Sequence, residues 1–146
     1  MTKLIRFQIS MIVVAGLLSS CGLSLEDTGR QSISRYITLP STARNLQTYY
    51  QSIGMYRAAY AYFELNPQQT AQFLSTTCFL GVDNFNNQYP QFSLGNLPEQ
   101  NQPTWWNVTD LVLIREGGCD RNGMSWRIGI AEGGSAYKLY LVLVFP

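Results

Sequence analysis

Nine residues, Tyr137–Phe145 (YKLYLVLVF), constrain the fold more than any other stretch of this chain. Beyond Tyr140 every position is apolar, so a strand formed here is apolar on both faces. Such a strand lies in the middle of a sheet or beneath a helix. The stretch before it, Met124–Ala131, alternates. Met124, Trp126, Ile128 and Ile130 share one side, and Ser125, Arg127 and Gly129 share the other. Gly-rich sequences, EGGS at 132–135 and EGGCDRNG at 116–123, flank that strand, with a further apolar run at Val108–Arg115. Strand patterns separated by such turns predict consecutive antiparallel hairpins.

The first half supplies the partners. Met55–Leu65 reads as a strand, with Tyr56, Ala58, Tyr60 and Tyr62 on one face and Ala59, Ala61, Phe63 and Leu65 on the other. Asn66, Pro67 and Gln69 then form a helix start: a capping side chain, proline at the first helical position, and an amide three residues after the cap. The spacing predicts a helix from Pro67 to about Thr76, with Ala71, Leu74 and Cys78 on one face. Ile33–Leu39 reads as a short first strand ended by Pro40. Residues 41–53 leave helix and strand both open, because Leu46, Tyr50 and Ile53 fit helical spacing while the Tyr49-Tyr50 pair favours a strand. Residues 83–104 read as a long amide-rich loop whose aromatics, Phe85, Tyr89 and Phe92, could tack it to the domain.

The expected fold is α+β: a mostly antiparallel sheet of four or five strands, with one helix (about 67–76) packed on one face. A single domain spans 33–146.

The chain begins differently. Lys3 and Arg6 precede a run, Phe7–Leu18, in which nine of twelve residues are apolar, followed by Ser19 and Ser20. This is the pattern of an export signal over residues 1–20. As a helix the run is too short to span a bilayer, which takes roughly 20 apolar residues. Leu18-Ser19-Ser20-Cys21 resembles the lipobox of bacterial lipoproteins, the likeness covering residues 1–21 only. The resemblance implies that the chain is cut before Cys21 and that the Cys21 sulfur carries a diacylglyceryl group. Two or more acyl chains give stable attachment where one gives only marginal binding. In that class an Asp after the cysteine often retains the protein in the inner membrane. Gly22 stands there instead, which implies the outer membrane, periplasmic face, in a Gram-negative cell. The polar residues 22–32 read as a flexible tether from Cys21 to the domain.

With Cys21 carrying lipid, Cys78 and Cys119 remain. An exported chain is expected to pair them; the alternative is two buried, inert thiols. From Cys21 onward the chain has eight basic and nine acidic residues, a net charge of −1. That balance gives no electrostatic footprint for nucleic acid. Amides and tyrosines are abundant instead: nineteen Asn plus Gln, and all nine tyrosines, follow Cys21. Such a surface suits protein or glycan contacts, or else the tyrosines line strands and the amides fill loops.

There is no histidine. Histidine-assisted nucleophiles and most zinc sites are therefore excluded, and no cofactor or metal is expected. The run from Asp83 to Asn87 has Phe85 where a calcium loop needs an oxygen ligand. Trp105 and Trp106 are the most distinctive surface candidates. If their segment is extended, the two rings point to opposite faces, and an outward ring beside Tyr60 and Tyr62 would make a binding hot spot. Burial of both rings under loop and helix is the alternative. The expected function is a non-catalytic binding or structural module tethered to a membrane of the cell envelope. Two rivals are an immunity-type lipoprotein that neutralises a toxin and a small wall hydrolase using paired carboxylates among Asp110, Glu116, Asp120 and Glu132.

Overall fold

The structure is a computed structural model that describes residues 25–79, 94, 102–108 and 111–146, with side chains from residue 27 onward. The signal segment, Cys21 and most of the 83–104 loop lie outside the described residues. The elements are helix α1 (Leu25–Ser34), strands β1 (Arg44–Ile53) and β2 (Tyr56–Leu65), helix α2 (Pro67–Ser75), and strands β3 (Leu113–Arg121), β4 (Met124–Glu132) and β5 (Tyr137–Phe145). The five strands form one sheet in the order β1-β2-β5-β4-β3, every neighbouring pair antiparallel. The fold is α+β, with two helices among the described residues rather than the one expected. None of the described helices is long and apolar enough to cross a membrane.

β5, the strand apolar on both faces, is the central strand. Leu139, Leu141 and Leu143 point into one core together with Phe63 and Leu65 of β2 and Trp126, Ile128 and Ile130 of β4. Tyr140 and Val142 point into a second core with Ala58 and Tyr60 of β2 and with Leu94, Trp106 and Val108 from the long connection. Each buried Leu or Phe side chain contributes roughly 2 kcal/mol of transfer free energy.

Both helices serve the first core. In α2, the Asn66 side chain accepts from the Gln69 N–H at 2.8 Å and the Gln69 side chain accepts from the Asn66 N–H at 3.2 Å. The start expected for α2 is therefore present. Its buried positions are Thr70 and Phe73, with the Phe73 ring edge-on to Phe63 at 5.4 Å, whereas Ala71 is exposed. Of the expected face, Leu74 and Cys78 pack partly buried against this core, and only Ala71 stands outside it.

α1 replaces two expectations, a flexible tether through residue 32 and a strand at 33–39. Ile33 and Ile37 are buried in the first core, the Ile37 N–H donating to the Ile33 carbonyl at 2.9 Å. Gly29 brings the helix backbone against β1, since a Cβ there would stand 2.6 Å from the main-chain N and C of Tyr49. Little in the α1 sequence favours a helix on its own; tertiary burial of its apolar positions stabilises it.

Of residues 41–53, ambiguous in sequence, Arg44–Ile53 form strand β1 and the three before them a turn. A bulge between Arg44 and Gln47 holds Asn45 at a left-handed φ of 53°. The β3–β4 hairpin also differs from expectation. β3 runs through Gly117, Gly118 and Cys119, and the turn is only Asn122-Gly123, at left-handed φ values of 55° and 75°. Asn-Gly is the pair that tolerates such angles best in a two-residue hairpin. Cys119 of β3 and Cys78, three residues past α2, stand at disulfide distance with their Cα atoms 6.3 Å apart. This pair ties the end of α2 to an edge strand.

Candidate functional site

The four aromatic candidates come together, but facing inward. Tyr60 is fully buried and Trp106 is 5% exposed, while Trp105 and Tyr62 are half-buried at the rim. Trp106 meets Tyr60 edge-on at 4.9 Å and Tyr140 at 5.6 Å, and Trp105 lies 5.8 Å from Trp106 and 6.5 Å from Tyr62. The proposed outward hot spot is therefore largely a second core. The reason lies in the backbone. Residues 104–106 form a turn, the Trp106 N–H donating to the Pro103 carbonyl at 2.8 Å, so strand alternation does not apply and both rings reach the same sheet face.

Burial sets the chemistry of these tyrosines. Tyr60 donates to the buried Gln51 Oε1 at 2.8 Å, and desolvation, reinforced by the neighbouring Tyr56 hydroxyl, raises its pKa well above the ordinary 10.0. Tyr62 is raised by burial and by its bond to the Glu64 carboxylate. Glu64 is correspondingly held below the ordinary 4.5, first by the Tyr62 hydroxyl, which outweighs the opposing desolvation, with Asn45, Lys138 and Arg44 as lesser aids. A polar cleft of about 500 Å³ beside Glu64, lined by Arg44, Asn66 and Gln69, thus has its acid already partnered.

The candidate acids do not converge in pairs on the β3–β4 hairpin. Glu116 and Asp120 lie four residues apart on one strand, about 13 Å at the strand rise. Asp120 sits opposite Ser125, seven residues from Glu132 along β4 and about 23 Å away. Glu116 sits opposite Gly129, three residues from Glu132 and on the other face of the sheet. Glycoside hydrolysis needs two carboxyl groups within about 5–9.5 Å. Glu116 has another task, as its carboxylate accepts a hydrogen bond from the Leu94 main-chain N–H. Asp110 lies outside the described residues. Among the described residues no group of three or more His, Cys, Asp or Glu could hold a metal ion.

A different site emerges at the end of the sheet where β1 and β5 finish. The register puts Phe145 opposite Arg57 of β2, and Tyr50 of β1 lies 6.4 Å from the Phe145 ring. The close of α1 adds Arg35 and Tyr36, whose place is fixed by the buried Ile33 and Ile37 on either side. The Tyr36 ring, 42% exposed, stands 6.0 Å from Phe145 and edge-on to Trp126 at 6.5 Å. Arg35, Tyr36, Tyr50, Arg57 and Phe145 line a cleft of about 540 Å³, within the usual range of ligand sites. Its described lining holds the guanidinium groups of Arg35 and Arg57. Arg57 Nη2 donates to the Pro146 main-chain oxygen at 2.5 Å. Asp120 belongs to the adjoining hollow with Val144 and Phe145. Sequence reasoning missed this cleft because Arg35 and Tyr36 reach it only through α1. The visible signal was Arg57 among the small residues of its strand.

No family model, no curated protein and no solved structure matches the chain.

Proposed function

We propose that this chain is a non-catalytic binding module of the cell envelope, held to a membrane by acyl chains on Cys21. One observation carries the reading: a short apolar run behind two cations ends in Leu18-Ser19-Ser20-Cys21. The rest of the molecule is consistent with it. The absence of histidine and the separation of the hairpin carboxylates leave no evident catalytic pair among the described residues. The cleft at Arg35, Tyr36 and Arg57 offers a binding chemistry instead.

α1 changes how such a module would sit. Only residues 22–24 separate Cys21 from the start of α1, a covalent reach of at most about 14 Å to Leu25. The domain would ride close to the bilayer surface rather than at the end of a long tether. Detergent phase partition of the native chain and its Cys21→Ser variant tests the anchor. The native chain should enter the detergent phase and the variant should stay in the aqueous phase. Equal partition of the two would remove the reading.

A further inference from the structure

We propose that the tip of the β1–β2 hairpin, Ile53-Gly54-Met55, dips into the bilayer that holds Cys21. The inference rests on the reading of Cys21 as the acyl anchor and names the surface with which the domain meets the membrane.

The tip is apolar where nothing in the fold requires it to be. Ile53 pairs with Tyr56, so Gly54 and Met55 make a two-residue turn. Gly54 takes the first position at a left-handed φ of 57°, as such a turn needs. Met55 takes the second, a place usually given to a polar residue. Met55 is 93% exposed and Ile53 42%. No charged residue stands between Arg44 and Arg57. Just behind the tip, Tyr56 is half-buried, its hydroxyl 3.3 Å from that of Tyr60. Tyrosines at that depth are a feature of membrane–water interfaces.

The course of α1 puts the anchor on the same side. Gly29 lies against the main chain of Tyr49 in β1, an edge strand. Beyond the helix, Tyr36 stands beside Phe145 of the central strand β5 and Trp126 of β4. α1 therefore crosses the sheet inward from the β1 edge, and its amino-terminal end lies at that edge. Leu25 is about 6 Å ahead of Gly29 along the helix, and Cys21 lies within about 14 Å of Leu25. Ile53 is about 13 Å along β1 from Tyr49. The anchored sulfur and the tip thus reach the same bilayer surface. A second exposed apolar pair among the described residues, Val112 and Ile114, sits at the start of β3, on the opposite edge and at the opposite end of the sheet. A domain that meets the bilayer tip-first keeps that pair in water.

The test uses the native acylated chain, purified in detergent and reconstituted into vesicles of phosphatidylethanolamine and phosphatidylglycerol. A phospholipid with a diazirine near the end of one acyl chain is included. Light converts the diazirine to a carbene that marks groups reaching the hydrocarbon, and mass spectrometry of peptides locates the mark. The peptide holding Ile53–Tyr56 should be marked at least about tenfold more than the one holding Val112–Ile114, the factor expected for burial of one Met or Ile side chain. Met55→Asp should cut the marking of the tip by about tenfold, and Met55→Leu should keep it. Both variants replace an exposed side chain, and unchanged thermal unfolding shows that the fold is intact. Equal marking of the two peptides, or indifference to Met55→Asp in a folded variant, would overturn the proposal. An unmarked tip on a chain of acylated mass would overturn it and leave the anchor standing; a tip covered by a second copy or another protein gives that result. A chain without acyl mass would remove the anchor and this proposal with it.

Discussion

A methyl group on Gly129 would stand 2.5 Å from the Leu94 Cδ1 atom, so the bare backbone of β4 forms the seat of a side chain from the long connection. Leu94 is held there twice, its N–H by Glu116 and its side chain against Gly129. The second core is closed from outside by this residue and the tryptophan turn.

The two close-packed glycines should respond differently to alanine. At Gly129 the new methyl meets the end of a leucine, which can shift, so Gly129→Ala should cost about 1 kcal/mol. At Gly29 it meets the Tyr49 main chain, which cannot shift without lifting α1 from the sheet. Gly29→Ala should cost about 2–3 kcal/mol even after the helix-propensity gain of about 1 kcal/mol. Urea unfolding of the two variants checks the order, and a more stable Gly29→Ala variant would mean that α1 does not pack as described.

Glu116→Ala leaves the buried Leu94 N–H without its acceptor. It should lower stability by about 1.5–3 kcal/mol. Urea unfolding at neutral pH measures it. A catalytic role predicts the opposite pattern, intact stability with lost turnover on wall fractions.

The pair of Cys78 and Cys119 closes a loop with a sequence separation of 41. Chain-entropy reasoning puts the stabilisation at about 4 kcal/mol. A thiol reagent should leave both cysteines unlabelled in the native Cys21→Ser chain and label both after reduction. Reduction should lower the urea midpoint accordingly. Prompt labelling before reduction would refute the pair.

The pH dependence follows from two directions of shift. Glu64 is held below its ordinary 4.5 by Tyr62, Asn45, Lys138 and Arg44. Its stabilisation is complete above that value and is lost as pH falls through the lowered pKa in the fold. Thermal unfolding of Glu64→Gln should therefore fall less steeply on acidification than that of the native chain. Tyr60 is shifted the other way, above its ordinary 10.0, by burial and by Tyr56. Its contribution is present below pH 10 and is lost as pH rises beyond it. Tyrosinate absorbance should show a group of tyrosines that ionises only as the chain unfolds in alkali, and the group should be smaller by one in Tyr60→Phe.

Sequence was most informative where one residue pattern permitted one arrangement. The doubly apolar Tyr137–Phe145 had to be covered on both faces, and it is the middle strand. Asn66, Pro67 and Gln69 name a helix start that depends on no distant contact. Two of the misses depended on long-range contacts. α1 gains its stability from the burial of Ile33 and Ile37 and from the close approach of Gly29, and none of these is visible without β1 beside it. Trp105 and Trp106 were read by strand alternation, yet a turn carries both to one face. EGGCDRNG reads as a turn from Glu116 onward, whereas β3 runs on to Arg121 and the turn is Asn122-Gly123, the stronger hairpin signal. The cleft was invisible for the same reason as α1, because its Arg35 and Tyr36 arrive on that helix.

Intact mass spectrometry of the mature polypeptide, purified from the membranes of expressing bacteria, tests the central claim most directly. The account predicts a chain that begins at Cys21 and carries the added mass of at least two acyl chains. A processed chain of unmodified mass, recovered from the soluble fraction, would contradict it.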